Sequence, residues 1–323
     1  TVPLTGIAQL AFTWVAAHRA GFRFAPGLPR LTPDLKRLAV IAAPAVLAGG
    51  VVQVNLLVGR QVASFTEGAV AWLSYADRLY QLPLGVVAIA VGTVLLPDLS
   101  RRLRAGDAEG GRASFNRGTE FALALTIPAA VALVVIALPL TTVLFQRGAF
   151  GADDAAATAL ALAIYGAGLP AFVLHKVFQP LYYAREDTRS PFRYAVWSMI
   201  VNAAIAVGLM PLIGFAAAAL ATTVAGWTMV WQLWFGTRAM GTSARFDAQF
   251  RTRLPRIVLA SGVMGAALWG GTLLLGPMLG VQGWRYAGLA ALVGIGIATY
   301  GAAGLAFGAF RIADLRSALR RQR

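Results

Sequence analysis

The sequence has no cysteine, which excludes disulfide frameworks and thiolate metal sites. It has two histidines, His18 and His175, too few for a histidine-built metal centre. Charged residues make up 13% of the 323, where a soluble domain carries about 25%. There is no Ser/His/Asp set, no pair of carboxylates within one apolar block and no G-x-x-x-x-G-K-[ST] run. Hydrolytic chemistry and P-loop ATP hydrolysis are therefore not expected, and the chain reads as a non-enzyme without cofactor or metal ion.

What the chain has in excess is apolar surface. Hydrophobic residues make up 58%, gathered in blocks of the ~20 residues needed to cross a bilayer core of about 30 Å. The blocks predict an all-α, polytopic transmembrane helical bundle of about nine spans. A partial span covers roughly 1–17, and full spans cover roughly 38–59, 69–97, 119–145, 155–183, 194–213, 215–236, 257–276 and 285–309. No folded soluble domain fits between them. The segment 18–37 carries Pro26, Pro29 and Pro33 and reads as an extended connector between two helical bundles. The segment 101–118, rich in Arg and Gly, reads as a cytoplasmic loop or a surface helix.

The net charge of +15 would suggest nucleic acid in a soluble protein. Here 23 of the 28 basic residues fall in five alternate connecting segments, while the intervening loops hold only Arg60, Arg147 and Arg285. The positive-inside rule places the five basic segments, the C-terminus among them, in the cytoplasm. The expectation is a multi-pass bacterial inner-membrane protein with no nucleic-acid partner. Since the chain enters an apolar run directly from Thr1, it reads as a fragment lacking an N-terminal part.

The most informative stretch is Ser74-Tyr75-Ala76-Asp77-Arg78-Leu79-Tyr80-Gln81-Leu82-Pro83, inside an apolar span. A charge there costs about 2.5–3.5 kcal/mol by insertion scales, so it normally faces a cavity or a partner. Ser74, Arg78 and Gln81 fall on one stripe at i, i+4, i+7. Two readings of Arg78 stand open from the residues alone. It lines a cavity for an anionic substrate, whose oxygens its planar fork suits, or it makes a structural contact or snorkels to the interface. Asp77 would orient the arginine. Lys176, beside His175, either snorkels or lines the inner mouth of a cavity. Gln53, Asn55, Asn202, Thr222, Thr223 and Gln232 read as interhelical hydrogen-bonding groups.

Three runs carry a family resemblance. The first joins Tyr75-Ala76-Asp77-Arg78-Leu79 and Gln81-Leu82-Pro83-Leu84-Gly85 to Leu95-Leu96-Pro97-Asp98-Leu99-Ser100-Arg101. The second is Leu144-Phe145-Gln146-Arg147-Gly148-Ala149-Phe150, and the third runs from Lys176 through Gln179-Pro180-Leu181-Tyr182-Tyr183-Ala184-Arg185 to Pro191. Together, in this order, they resemble the MurJ (MviN) lipid II flippases over essentially the whole chain. The resemblance implies a fold of the multidrug/oligosaccharidyl-lipid/polysaccharide exporter type with fourteen spans, of which this chain holds part of the sixth through the fourteenth. It divides the chain into the end of an N-terminal lobe (1–18), a cytoplasmic linker (19–37), a six-span lobe (38–240), a second linker (241–256), a C-terminal helix pair (257–310) and a basic tail (311–323). It implies flipping of lipid II, the undecaprenyl-pyrophosphate-linked peptidoglycan precursor, to the outer leaflet by alternating access for cell-wall synthesis. Arg78, with Asp77, would then meet the substrate, and Ser74, Gln81 and Lys176 are the further candidates. The partners are that precursor, membrane lipids and the absent N-terminal lobe. Competing readings are an exporter of another lipid-linked oligosaccharide or of drugs, and a non-transporting membrane scaffold.

Overall fold

The computed structural model describes residues 2–22, 56–90, 95–241, 244–281 and 283–309, with isolated positions between 32 and 54. Most of the expected span 38–59 and of the linker 19–37, and all of the tail 311–323, lie outside the described residues. The chain divides into two units, Thr1–Ala42 and Ala43–Arg323. In the first, α1 (Val2–Arg19) ends on His18 and Arg19, where a cation offsets the negative pole of the helix. Leu4, Ile7, Leu10 and Phe12 stand exposed along it.

Among the described residues of the second unit the regular elements are all helices. Helical turns at 56–63 lead through a bend at Gly68 (φ +81°) into α2 (Ala69–Ala90). There follow α3 (Leu96–Arg104), α4 (Ala108–Val135), α5 (Ala137–Phe145), α6 (Ala152–Tyr183), α7 (Arg189–Ile213), α8 (Ala216–Thr237), α9 (Ala248–Gly280) and α10 (Arg285–Ala306). Five of these, α4, α6, α7, α9 and α10, are long and apolar enough to cross a membrane. α2 and α8, of 22 residues each, carry polar side chains along their length, Asp77, Arg78 and Gln81 in one and threonines with Gln232 in the other.

The apolar blocks locate the helices, while caps and prolines set their ends. α4 and α5 occupy the block read as one span, 119–145. Pro139 has no N–H to give Val135 and its ring crowds that carbonyl, so α4 stops at Val135 and Ile136 turns out of helical geometry (φ −110°, ψ 25°). α4 also starts earlier than the apolar block, at Ala108, because the Asp107 carboxylate accepts from the Gly110 N–H at 2.8 Å. Much of the stretch 101–118, read as a loop or surface helix, is thus the first turns of α4, with Phe115 and Asn116 buried. Likewise α9 begins at Ala248, inside the stretch read as a linker, with Asp247 capping Phe250 N–H at 2.7 Å.

α6 is the central post, packed against α2, α4, α5 and α8. Small residues bring it close to α8. A Cβ on Gly168 would stand 2.8 Å from Thr223 Oγ1, and one on Gly226 would stand 2.6 Å from the Phe172 ring. Thr223 donates to the Ile164 carbonyl at 2.8 Å and Tyr182 to the Leu233 carbonyl at 2.6 Å, so polar side chains are spent on interhelical bonds. α7 packs on α8, where Ser198 donates to the Ala225 carbonyl at 2.7 Å. α9 and α10 form a pair, and α9 lies against α4.

The junction ahead of α9 is fastened by a row on α4 at i, i+4, i+8. Arg112 donates to the carbonyls of Arg245 and Phe246 at 3.2 and 3.3 Å. Asn116 donates to the Arg245 carbonyl and accepts from Asp247 N–H. Glu120 pairs with Arg253 at 2.5 Å, both groups largely buried. Phe246 stacks on Phe115 and Phe250, with ring centres 5.8 and 4.3 Å apart.

Candidate functional site

Asp77 and Ser74 lie one turn apart on α2 and line a cavity of about 90 Å³. The 56–63 turns supply Leu56, Gly59, Arg60 and Ala63, α6 supplies Tyr165, and α8 supplies Ala218 and Thr222. Asp77 and Arg60 therefore line one small, half-open cavity together with a tyrosine and a threonine. Asp77 accepts a hydrogen bond from Gln81, one turn on, and another from Tyr80. Tyr80 in turn packs on Tyr165 and Phe172, ring centres 5.1 and 5.5 Å apart. Thr222 is linked to α7 through Asn202, whose amide donates to its hydroxyl at 3.4 Å.

The predicted residues separate into three groups. Ser74, Asp77 and Gln81 come together, although the Ser74 hydroxyl donates back to the Val70 carbonyl at 2.6 Å. Arg78 is exposed on the same helix and is not among the cavity's lining residues. Lys176 is exposed on α6, eleven residues past Tyr165 and so about 16 Å further along the axis at 1.5 Å per residue. Sequence reasoning missed Arg60, which it counted as a loop cation, and Tyr165. Thr222 was noticed only as a packing group.

The motif runs flank the site and hold it. Tyr75 packs its ring against Phe145 and Phe150 of the second run, 4.7 and 5.3 Å away. Trp72 Nε1 donates to Asp154 Oδ1 at 2.7 Å, and Asp154 Oδ2 accepts from Gly151 N–H at 2.8 Å at the start of α6. In the third run Arg185 closes α6 onto the Leu181 carbonyl (2.8 Å) and the Met240 carbonyl (3.3 Å).

Residues 1–283 match the family model described as "Lipid II flippase MurJ". The chain belongs to the MurJ lipid II flippase family. A probable MurJ of Rhizobium meliloti (strain 1021) is 47% identical over 272 residues, 82% of this chain and 49% of that protein. One of Vibrio cholerae is 33% identical over 323 residues, 98% of this chain and 60% of the relative. The chain thus spans about half the length of curated MurJ relatives that it matches. Among solved structures, a MurJ lipid II flippase in an inward closed conformation superposes with a TM-score of 0.68 at 26% identity, over 89% of this chain and 57% of the other. A MATE transporter in the bent conformation superposes at 0.54 and 15% identity, over 82% of this chain and 62% of the other, and that likeness is one of fold alone. The family match bears out the all-α membrane-bundle expectation.

Proposed function

We propose that this chain is the C-terminal part of an inner-membrane flippase that moves lipid II, the undecaprenyl-pyrophosphate-linked peptidoglycan precursor, from the cytoplasmic to the outer leaflet by alternating access. The observation that carries the reading is the MurJ match over residues 1–283, which includes the charged face of α2. The division into a lobe of six spans (38–240) and a helix pair (257–310), with the C-terminus in the cytoplasm, is part of the same proposal.

In this reading the exposed Arg78 is the substrate cation, because its guanidinium, unpaired among the described residues, can fork onto pyrophosphate oxygens. Asp77 is tied down by Gln81 and Tyr80, so it sets the pose of α2's polar face rather than neutralising Arg78. Ser74 and Gln81 border that face, and Lys176 is the cation further along α6. The remaining cations of the cavity belong to the first lobe. The test is lipid II translocation by the full-length protein in vesicles, comparing wild type with Arg78→Ala and Arg78→Lys. Arg78→Ala is expected to lower the rate by about tenfold or more, the loss of one charge-assisted pair, with partial recovery in Arg78→Lys. Unchanged translocation in Arg78→Ala would overturn the role.

A further inference from the structure

The end of the molecule that holds the 146–151 turn carries two guanidinium groups with no counter-ion among the described residues. Arg285, the first residue of α10, donates from Nη1 to the Gln146 carbonyl at 3.1 Å and from Nη2 to the Tyr286 hydroxyl at 3.1 Å. Its plane also lies over the Tyr286 ring, 5.0 Å from the centre. Arg147, from the turn between α5 and α6, reaches the same Tyr286 hydroxyl. Two of the three basic residues outside the Arg-rich segments and the spans therefore converge on one neutral phenol. Among the described residues neither makes an ion pair with a carboxylate.

Three further features raise the positive potential at this point. Arg285 Nε is buried and has no hydrogen-bond acceptor. The first turn of α10 has no acidic residue and no side-chain cap, and the positive end of the helix dipole lies beside the guanidiniums. A cation at that pole is disfavoured by the dipole, and the second guanidinium adds like-charge repulsion. An anion with several oxygens would offset the helix pole and the like-charge repulsion together, and an arginine fork is the side chain best shaped to take a tetrahedral phosphate.

The surroundings select the kind of anion. Trp284 is 62% exposed and Tyr286 49% exposed, and Val281 lies open beside them. An indole and a phenol flanking basic groups at the end of an apolar helix are the composition of a membrane interface. We infer that Arg147, Arg285 and Tyr286 form a binding site for the phosphodiester headgroup of an anionic phospholipid, with Trp284 against its glycerol and upper acyl region. The site stands apart from the Asp77 cavity and does not depend on the transport reading. Arg285 and Tyr286 also lie beyond the family match, which ends at residue 283.

The test is native mass spectrometry of the full-length protein in detergent, titrated with phosphatidylglycerol, phosphatidylcholine or inorganic phosphate. Arg147→Gln, Arg285→Gln and Tyr286→Phe are compared with wild type and with Arg251→Gln as a distant surface control. Phosphatidylglycerol is expected to bind wild type and the control alike, and to bind each guanidinium variant about tenfold more weakly, one charge-assisted contact each. Phosphatidylcholine binding should be weak and equal in all proteins. Equal phosphatidylglycerol binding by Arg147→Gln and wild type would overturn the assignment. So would displacement of the lipid by an equal concentration of inorganic phosphate, which would mark a general anion site. Arg147 is exposed on a turn, so its variant decides the matter even if Arg285→Gln does not fold.

Discussion

Asp98 gathers three donors: Ser114 from α4, Arg102 at 2.8 Å and Arg101 at 2.6 Å. The Ser114 hydrogen bond, then the Arg102 hydrogen bond, lower its carboxyl from the ordinary 3.8 to about 2. A carboxyl depressed by folding stabilises the fold above its ordinary value and loses that contribution as pH falls toward its folded value. The tie of α3 to α4 should therefore hold at neutral pH and fade between 3.8 and about 2. Asp98→Asn is expected to lower the melting temperature by about 2 °C or more at pH 7 and to flatten the melting curve's dependence on pH in that window. Thermal unfolding in detergent between pH 7 and 2.5 measures both, and an unchanged wild-type-like slope in the variant would refute the role. Part of the candidate site is as local as this ion cluster. The Asp77–Gln81 bond spans one helical turn, so it can be read from spacing alone. Arg60, Tyr165 and Thr222 reach the cavity from three other segments, and no spacing rule encodes that meeting.

At the scale of the element, the apolar blocks announced the helices and the starts of α2 and α10, but not those of α4 and α9. α4 and α9 both start in charged sequence, under Asp107 and Asp247, because their first turns are solvated on one side and packed on the other by Phe115 and Phe250. Hydropathy cannot see a helix that is amphipathic at its entry and apolar further on. The pairing of α6 with α8 rests on missing side chains. Gly226→Ala would set a methyl against Phe172, whose ring is already held by Tyr80. The overpacking is expected to cost about 1–3 kcal/mol, read as an earlier thermal transition, and Phe172→Leu in the same chain should recover part of it. No shift in Gly226→Ala would mean that the two helices are not packed through this contact.

At the scale of the molecule, the row Arg112, Asn116 and Glu120 makes α4 the anchor for the chain entering α9. Removing Glu120 takes a carboxylate from the largely buried Arg253, at a cost below the about 3–5 kcal/mol of a fully buried pair. Glu120→Gln with Asn116→Ala is expected to speed amide hydrogen exchange across 244–253 by about tenfold or more while α6 and α8 exchange as before. Uniform acceleration through every helix would instead make the row part of the global core. A second fastening acts nearer the site. Asp154 serves α6 with one oxygen and the Trp72 indole of α2 with the other. Sliding α2 by one turn would carry the indole about 5.4 Å away and leave that oxygen empty. α2 and α6 are thus coupled as two rails of a single carriage. In the proposed transport cycle the rocking is then expected to pivot outside them, with the spacing between Asp77 and Tyr165 carried along unaltered.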